Sequence, residues 1–191
     1  MKYPDSHSAP SQPHIPQLLP HELSFVRTAL RHAQAATVLA RVEYGDAVDD
    51  SGGDWVFDDP GAQLAMLNTA MKELSERQLT RLSVGTVIDY PRPDVAYVAP
   101  GSRIGIEIAG DVDMWDVGTQ RIPGLPIDPT ILSLVSAQSP LGKAAIGMRA
   151  GTALQWELDN GRRMGGVLQS VDQIAQPHFY RGLGLIRGES Q

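Results

Sequence analysis

Six aspartates fall within the fifteen residues GDAVDDSGGDWVFDD (Gly45–Asp59): Asp46, Asp49, Asp50, Asp54, Asp58 and Asp59, with no Lys or Arg among them. Carboxylates crowded in this way repel one another unless water screens them or a cation is shared. Their oxygens suit Mg²⁺, which takes one or two carboxylates and keeps several waters. Asp46, Asp49 and Asp50 are therefore candidate metal ligands. The same residues also read as solvated charge and helix caps, the ordinary state of a charge run, and the pattern alone leaves both readings open. A stand-alone metal-dependent hydrolase is the weakest reading, because no His, nucleophile or base stands at a usable spacing. Gly52-Gly53 permits a tight turn, which Trp55 and Phe57 can anchor.

Two helical patterns flank this stretch. From His21 onward, Leu23, Val26, Leu30, Ala33, Thr37, Ala40 and Tyr44 recur at alternating spacings of 3 and 4, a heptad-like seam that stops at Gly45. A helix of some 23 residues at ~1.5 Å per residue would be about 35 Å long. A second helix is predicted from Pro60 or Gly61, capped by Asp58 or Asp59. Leu64, Leu67, Met71, Leu74 and Leu82 form its apolar face, with Lys72, Glu73, Glu76, Arg77 and Arg81 on wetter faces. Two such helices should pack as an antiparallel hairpin, a short coiled coil over 21–84 with 45–59 as an acidic tip loop. An amphipathic hairpin lying flat on a neighbouring domain satisfies the same periodicity.

The remaining chain bounds the class of protein. Its 191 residues, 42% hydrophobic and 20% charged, allow one or two domains with a real core. No long apolar run suggests a membrane span, and no basic-then-apolar leader suggests secretion. The absence of Cys removes disulfides and thiolate zinc sites and suits the cytoplasm. A net charge of −6 speaks against broad non-specific DNA binding, leaving only a local basic patch for DNA or RNA. Residues 1–20 hold five prolines and read as a loose tail, in which His7 and His14 are solvated rather than metal-bound. Residues 175–191 form a C-terminal extension, PHFYRGLGLIRG within it, expected to pack on the domain or to stay disordered. A monomer is expected.

Residues 85–100, with prolines at 91, 93 and 100, read as a linker. Over 101–174 the pattern turns to strands. Ile104, Ile106 and Ile108 alternate, Gly110-Asp111 marks a turn, and Val112–Val117 with Trp115 makes the next strand. After the Pro-rich loop Gly118–Pro129 comes the strand Ile131–Val135. Ser139 then caps a short helix with Pro140 at its first position. Gly147 and Gly151 close the following turns. Thr152, Leu154, Trp156 and Leu158 lie on one face of a half-buried strand, and Asn160-Gly161 signals a two-residue hairpin turn into a last strand, about 162–171. The predicted class is α+β: a helical hairpin, then an antiparallel sheet curled around one short helix.

Two segments carry a family resemblance. Ser139–Gly147 (SPLGKAAIG) with Ala150-Gly151 and the following hairpin, and upstream Val87-Ile88-Asp89-Tyr90 with Val98–Ile104 (VAPGSRI), resemble the C-terminal domain of the Gre family of bacterial transcription elongation factors, the GreA/GreB/Rnk group. Together they span about 84–171. The resemblance implies an FKBP-like sheet domain that docks on RNA polymerase, with Ser139, Pro140, Leu141, Gly142 and Lys143 in the docking segment. It implies a helical arm that enters the polymerase secondary channel, where acidic tip residues of cleavage-active members help hold a catalytic Mg²⁺. Those members carry an Asp followed by Glu-Asn and Glu-Tyr in a continuous helical tip. This chain has Glu43-Tyr44 and Gly45-Asp46 and no Glu-Asn, so no catalytic acid carries over by position. Where the family has an acidic segment before its Ile-Ser strand, this chain has GTQRIPGLPIDP. The arm also reads as shorter than in cleavage factors, which suits a regulator that occupies the channel or competes with them. The implied protein is a polymerase-binding factor with no enzymatic activity or cofactor of its own, sharing at most the polymerase's Mg²⁺. A true transcript-cleavage factor is the alternative. The FKBP likeness does not carry prolyl isomerase activity with it.

Overall fold

A computed structural model describes residues 15–50, 59–92, 94, 96–173, 180 and 183–185. Two long helices come first: α1 spans Pro20–Asp50 and α2 spans Pro60–Ser83. Asp59 caps α2, its Oδ1 accepting a 2.7 Å bond from the Gly61 amide, and Pro60 takes the first turn. Of the remaining tip residues, Gly52, Gly53, Asp54, Trp55, Phe57 and Asp58 lie outside the described residues.

The predicted seam of α1 is the observed one. Leu23, Val26, Thr37 and Ala40 are buried, and Leu30, Ala33 and Tyr44 are half-buried. Its end is not where the sequence placed it. α1 runs through Gly45 to Asp50, 31 residues or about 46 Å. A single helical Gly costs only about 1 kcal/mol relative to Ala, and no proline follows it before Pro60. Asp46, Asp49 and Asp50 are thus helical residues, not part of a loop.

The predicted face of α2 also needs correction. Leu64, Leu67, Met71 and Leu74 point outward, 68%, 57%, 63% and 56% exposed, and of the predicted row only Leu82 packs inward, half-buried against the cluster at the hairpin base. The contact face is instead Ala62, Ala65, Thr69, Glu73 and Glu76, of which Ala62 is fully buried. Small side chains on this face oppose Thr37 and Ala40 and let the backbones approach. The Thr69 hydroxyl lies 3.0 Å from the Ala40 carbonyl oxygen, across the hairpin, and 2.9 Å from that of Ala65. Arg41 donates to Glu73 Oε1 through Nη2 at 2.8 Å and Nε at 3.0 Å, and Arg77 reaches Oε2 at 3.2 Å. α2 carries two candidate faces, and a cross-helix network selects the less apolar one.

At the base of the hairpin, β1 (Gln17–Leu18) pairs in parallel with β2 (Thr86–Val87). Leu18 and Leu19 are fully buried, so the last residues of the expected tail are docked, and the expected linker carries a strand. The sheet domain comprises β3 (Ser102–Ile108), β4 (Asp111–Gly118), β5 (Ser133–Ser136), α3 (Pro140–Ala145), β6 (Ala153–Glu157) and β7 (Arg163–Gln173). Sheet order is β5-β4-β3-β7-β6. Three pairings are antiparallel; β4–β5 is parallel, unlike the all-antiparallel expectation. The connection between these two strands is long enough to cross back before the second begins.

Ile104, Ile106, Val117, Leu154, Trp156 and Leu168 form the sheet core, covered by Leu141 and Ala145 of α3. β6 alternates as predicted, with Leu154 and Trp156 buried between exposed Ala153, Gln155 and Glu157. Its turn differs from the expected form. Gly161 alone has positive φ (79°), Gly161 N donates to Leu158 O, and Leu158 N donates to Arg162 O. That is a type I turn closed by a left-handed glycine, one residue longer than the tightest hairpin. The fold is α+β, a helical hairpin followed by a curled sheet domain.

Candidate functional site

The exposed end of α1 displays Asp46, Asp49 and Asp50 to solvent. Spacings of 3 and 4 place Asp46 beside both others on one side of the helix. They stand at the negative end of the helix dipole, and no basic residue occupies the last turn. Acids there are locally unfavourable by about 0.3–1 kcal/mol each. Among the described residues, no three acidic, His or Cys side chains gather into a group able to hold a metal ion. Asp46, Asp49 and Asp50 by themselves therefore do not make a complete Mg²⁺ site, and a cation bound there would need further oxygen ligands beside them.

The Ser139–Lys143 segment opens α3. Ser139 Oγ accepts from the Gly142 amide at 3.1 Å and donates to the Ser136 carbonyl at 2.7 Å, with Pro140 following. Leu141 and Gly142 are buried, Ser139 and Pro140 half-buried, and Lys143 exposed. A Cβ on Gly142 would come within 2.0 Å of the Ser136 oxygen, so only glycine fits there. The segment is a helix cap packed against β5, and Ser139, Pro140 and Lys143 supply what surface it has.

A joint between the arm and the sheet domain was not read from the sequence. Glu22, fully buried, accepts from Leu19 N at 2.8 Å, Thr119 N at 3.0 Å and Thr119 Oγ1 at 2.7 Å. The first bond caps α1; the others tie it to the loop after β4. A side chain at Gly118 would meet Glu22 Oε1 at 2.7 Å, so the close approach needs that glycine. Burial raises the Glu22 carboxyl above its ordinary value, opposed by its bonds from Leu19 and Thr119. His21, also fully buried, stacks between Tyr90 (centroids 5.8 Å apart) and Tyr180 (3.8 Å), with Nδ1 2.6 Å from the Tyr90 hydroxyl. Burial lowers its pKa to about 3, so the imidazole is neutral. Tyr180 places at least this part of the C-terminal extension in the fold.

Next to this joint, Arg103 binds Asp116 through two bonds of 2.7 and 3.0 Å and reaches Asp128 at 3.1 Å. The pair with Asp116 raises the guanidinium pKa further, against the opposing effect of burial. Burial raises that of Asp116, opposed by Arg103. The bonds fasten the Pro-rich crossover onto β3 and β4. One local signal for the joint was available: Glu22 stands three residues after Leu19, the spacing at which an acid reaches back to a helix cap. Its second partner, 97 residues away, leaves no local signal.

No family model matches the chain. It is 29% identical over 144 residues to transcription elongation factor GreA of Streptomyces coelicolor, covering 75% of this chain and 81% of that protein. It is 31% identical over 142 residues to GreA of Streptomyces avermitilis, covering 74% and 79%. Among solved structures, GreA factor homolog 1 of Thermus thermophilus overlays with a TM-score of 0.37 at 20% identity, covering 83% of this chain and 99% of that one. The GreA/GreB elongation factor of Nitrosomonas europaea overlays with a TM-score of 0.31 at 16% identity, covering 51% and 78%. No helix among the described residues is long and apolar enough to cross a membrane. With 31% identity across 79% of a GreA relative, the chain belongs to the GreA family of transcription elongation factors.

Proposed function

We propose that this chain binds RNA polymerase through its sheet domain and places the end of its helical arm in the secondary channel, modulating elongation or initiation. The observation that carries the reading is the arm. Past Val26 the only buried α1 residues are Thr37 and Ala40, which face α2. The distal arm is therefore free of the sheet domain and ends in three exposed aspartates. The exposed row Leu64, Leu67, Met71 and Leu74, with Val38, Leu39 and Val42 of α1 also exposed, gives the arm more apolar surface than a solvated hairpin needs. Ser139, Pro140 and Lys143 form the docking surface in this reading, with Leu141 and Gly142 as its support.

The chain's own residues bind and position; it supplies no reaction chemistry alone. Equilibrium binding of the full chain to core polymerase tests the proposal. Micromolar or tighter binding, weakened at least tenfold by Lys143→Glu and separately by Leu67→Glu with Met71→Glu, supports it. Absence of binding at micromolar protein sinks it.

A second reading, stimulation of transcript cleavage, is favoured by one specific feature. Asp46, Asp49 and Asp50 occupy a continuous helix rather than a loop, so they are held in fixed relation to one another. In that reading they contribute ligands or a water position to a Mg²⁺ held mainly by the polymerase. A backtracked-complex assay decides: cleavage lost on changing the three to Asn supports it, whereas wild-type chain that leaves the RNA uncut, or protects it, leaves the channel-occupying regulator.

A further inference from the structure

In the angle between the arm and the sheet domain lies a cavity of about 1070 Å³. Its walls come from the base of the hairpin, from β1 and from the loop after β4. Six of the lining residues matter here: His32, Gln78, Arg81, Gln120, Arg121 and Gln138. Although acids outnumber bases 22 to 16 in the chain, none of the cavity's lining residues is an Asp or Glu. Arg81 and Arg121 are exposed, and among the described residues neither pairs with a carboxylate. Arg41, Arg77, Arg103 and Arg163 are all paired. Two uncommitted guanidiniums thus open on one concave space, next to amide side chains and an apolar floor at Leu79 and Leu82.

Such a set has a chemical preference. Guanidinium presents a planar fork that matches phosphate oxygens in pairs. Gln amides both donate and accept, as the edge of a heterocycle requires. The volume is that of a small-molecule site rather than a polymer groove. We propose that the cavity binds a small phosphorylated molecule of nucleotide size, its di- or triphosphate held between Arg81 and Arg121 and its base against the Gln side chains and the apolar floor. Arg81 and His32 belong to the arm, and Arg121 to the loop that Glu22 fastens. The ligand therefore bridges the two parts and stiffens the angle between them. This site is independent of polymerase binding and is tested on the free protein.

The experiment is calorimetric titration of the full chain with inorganic pyrophosphate and with adenosine triphosphate, both without metal, followed by thermal unfolding with each. The site predicts saturable binding, tighter for the nucleotide, and a rise in melting temperature that grows with ligand concentration. Arg81→Gln and Arg121→Gln should each weaken binding about tenfold or more. Arg149→Gln, an exposed arginine outside the cavity, should leave it unchanged. All three replace exposed side chains, and circular dichroism checks that each variant folds. Absence of saturation by 10-fold more than about 1 mM ligand, equal binding by the Arg81 and Arg121 variants, or preference for a short single-stranded RNA over the nucleotide would each overturn the proposal.

Discussion

Glu22 and His21 sit side by side at the start of α1 and face opposite protonation problems. Buried His21 stays neutral with a pKa of about 3, whereas in the unfolded chain it takes a proton near 6.5. Its folded pKa is depressed, so below pH 6.5 the unfolded state gains protons that the folded state refuses, and stability falls with pH until about 3. At pH 5 the loss amounts to about 2 kcal/mol. His21→Phe keeps the stack between Tyr90 and Tyr180 and removes this term. Urea unfolding at pH 7 and pH 5 should show the variant gaining about 2 kcal/mol on wild type at the lower pH. Glu22 has the reverse sign: its folded pKa is raised, so its contribution is fully present below the unfolded value and is lost as pH rises through the folded one. Glu22→Ala strands two buried amides and a hydroxyl and should cost about 2–4 kcal/mol at neutral pH, read as a lower urea midpoint. The sequence disclosed residues whose partners are adjacent, such as the Asp59 and Ser139 caps. It did not disclose Glu22–Thr119 or Arg103–Asp128, because a buried polar pair is specified by the meeting of distant segments and not by periodicity.

At the scale of elements, α1 and α2 make the same point about faces. The seam of α1 was legible because its residues recur without a break at spacings of 3 and 4, although Val38, Leu39 and Val42 leave apolar side chains on its outer side. α2 offers a leucine row and an alanine–threonine row, and apolar counting chose the former. The structure uses the latter because Thr69 and Glu73 find partners on α1 and small residues permit close approach. Replacing Leu67 and Met71 by Glu should thus leave unfolding stability within about 0.5 kcal/mol per site, whereas Ala65→Leu, inserted between the helices, should cost about 1–3 kcal/mol. Thermal unfolding of the two variants separates these outcomes. For α3, the sequence marked the cap, but the reason for Gly142 emerges only in three dimensions, where β5 passes against it. Gly142→Ala meets the Ser136 backbone and should destabilise by about 3 kcal/mol, with the largest loss of hydrogen-exchange protection around α3 and β5.

Across the whole molecule, the acidic end of the arm stands at a local energetic cost while the base is tied down. Asp46→Asn, Asp49→Asn and Asp50→Asn together should raise stability by about 1–2 kcal/mol, since like charges at the negative end of a helix dipole are removed. A stabilising change that abolishes activity would mark the acids as functional rather than structural. The two-part architecture was legible from helical and then strand periodicity. The length of the arm was not, because Gly45 reads as a stop and is in fact crossed. Nor was the angle of the arm, which depends on Glu22, His21 and Tyr180 meeting three separate segments. In the proposed polymerase-bound state, this joint directs the aspartates toward the polymerase interior. A photocrosslinking residue in place of Asp49, in a chain bound to core polymerase, tests it most directly: crosslinks should map to the walls of the secondary channel. Crosslinks confined to the outer surface, from a chain that binds normally, would contradict the account.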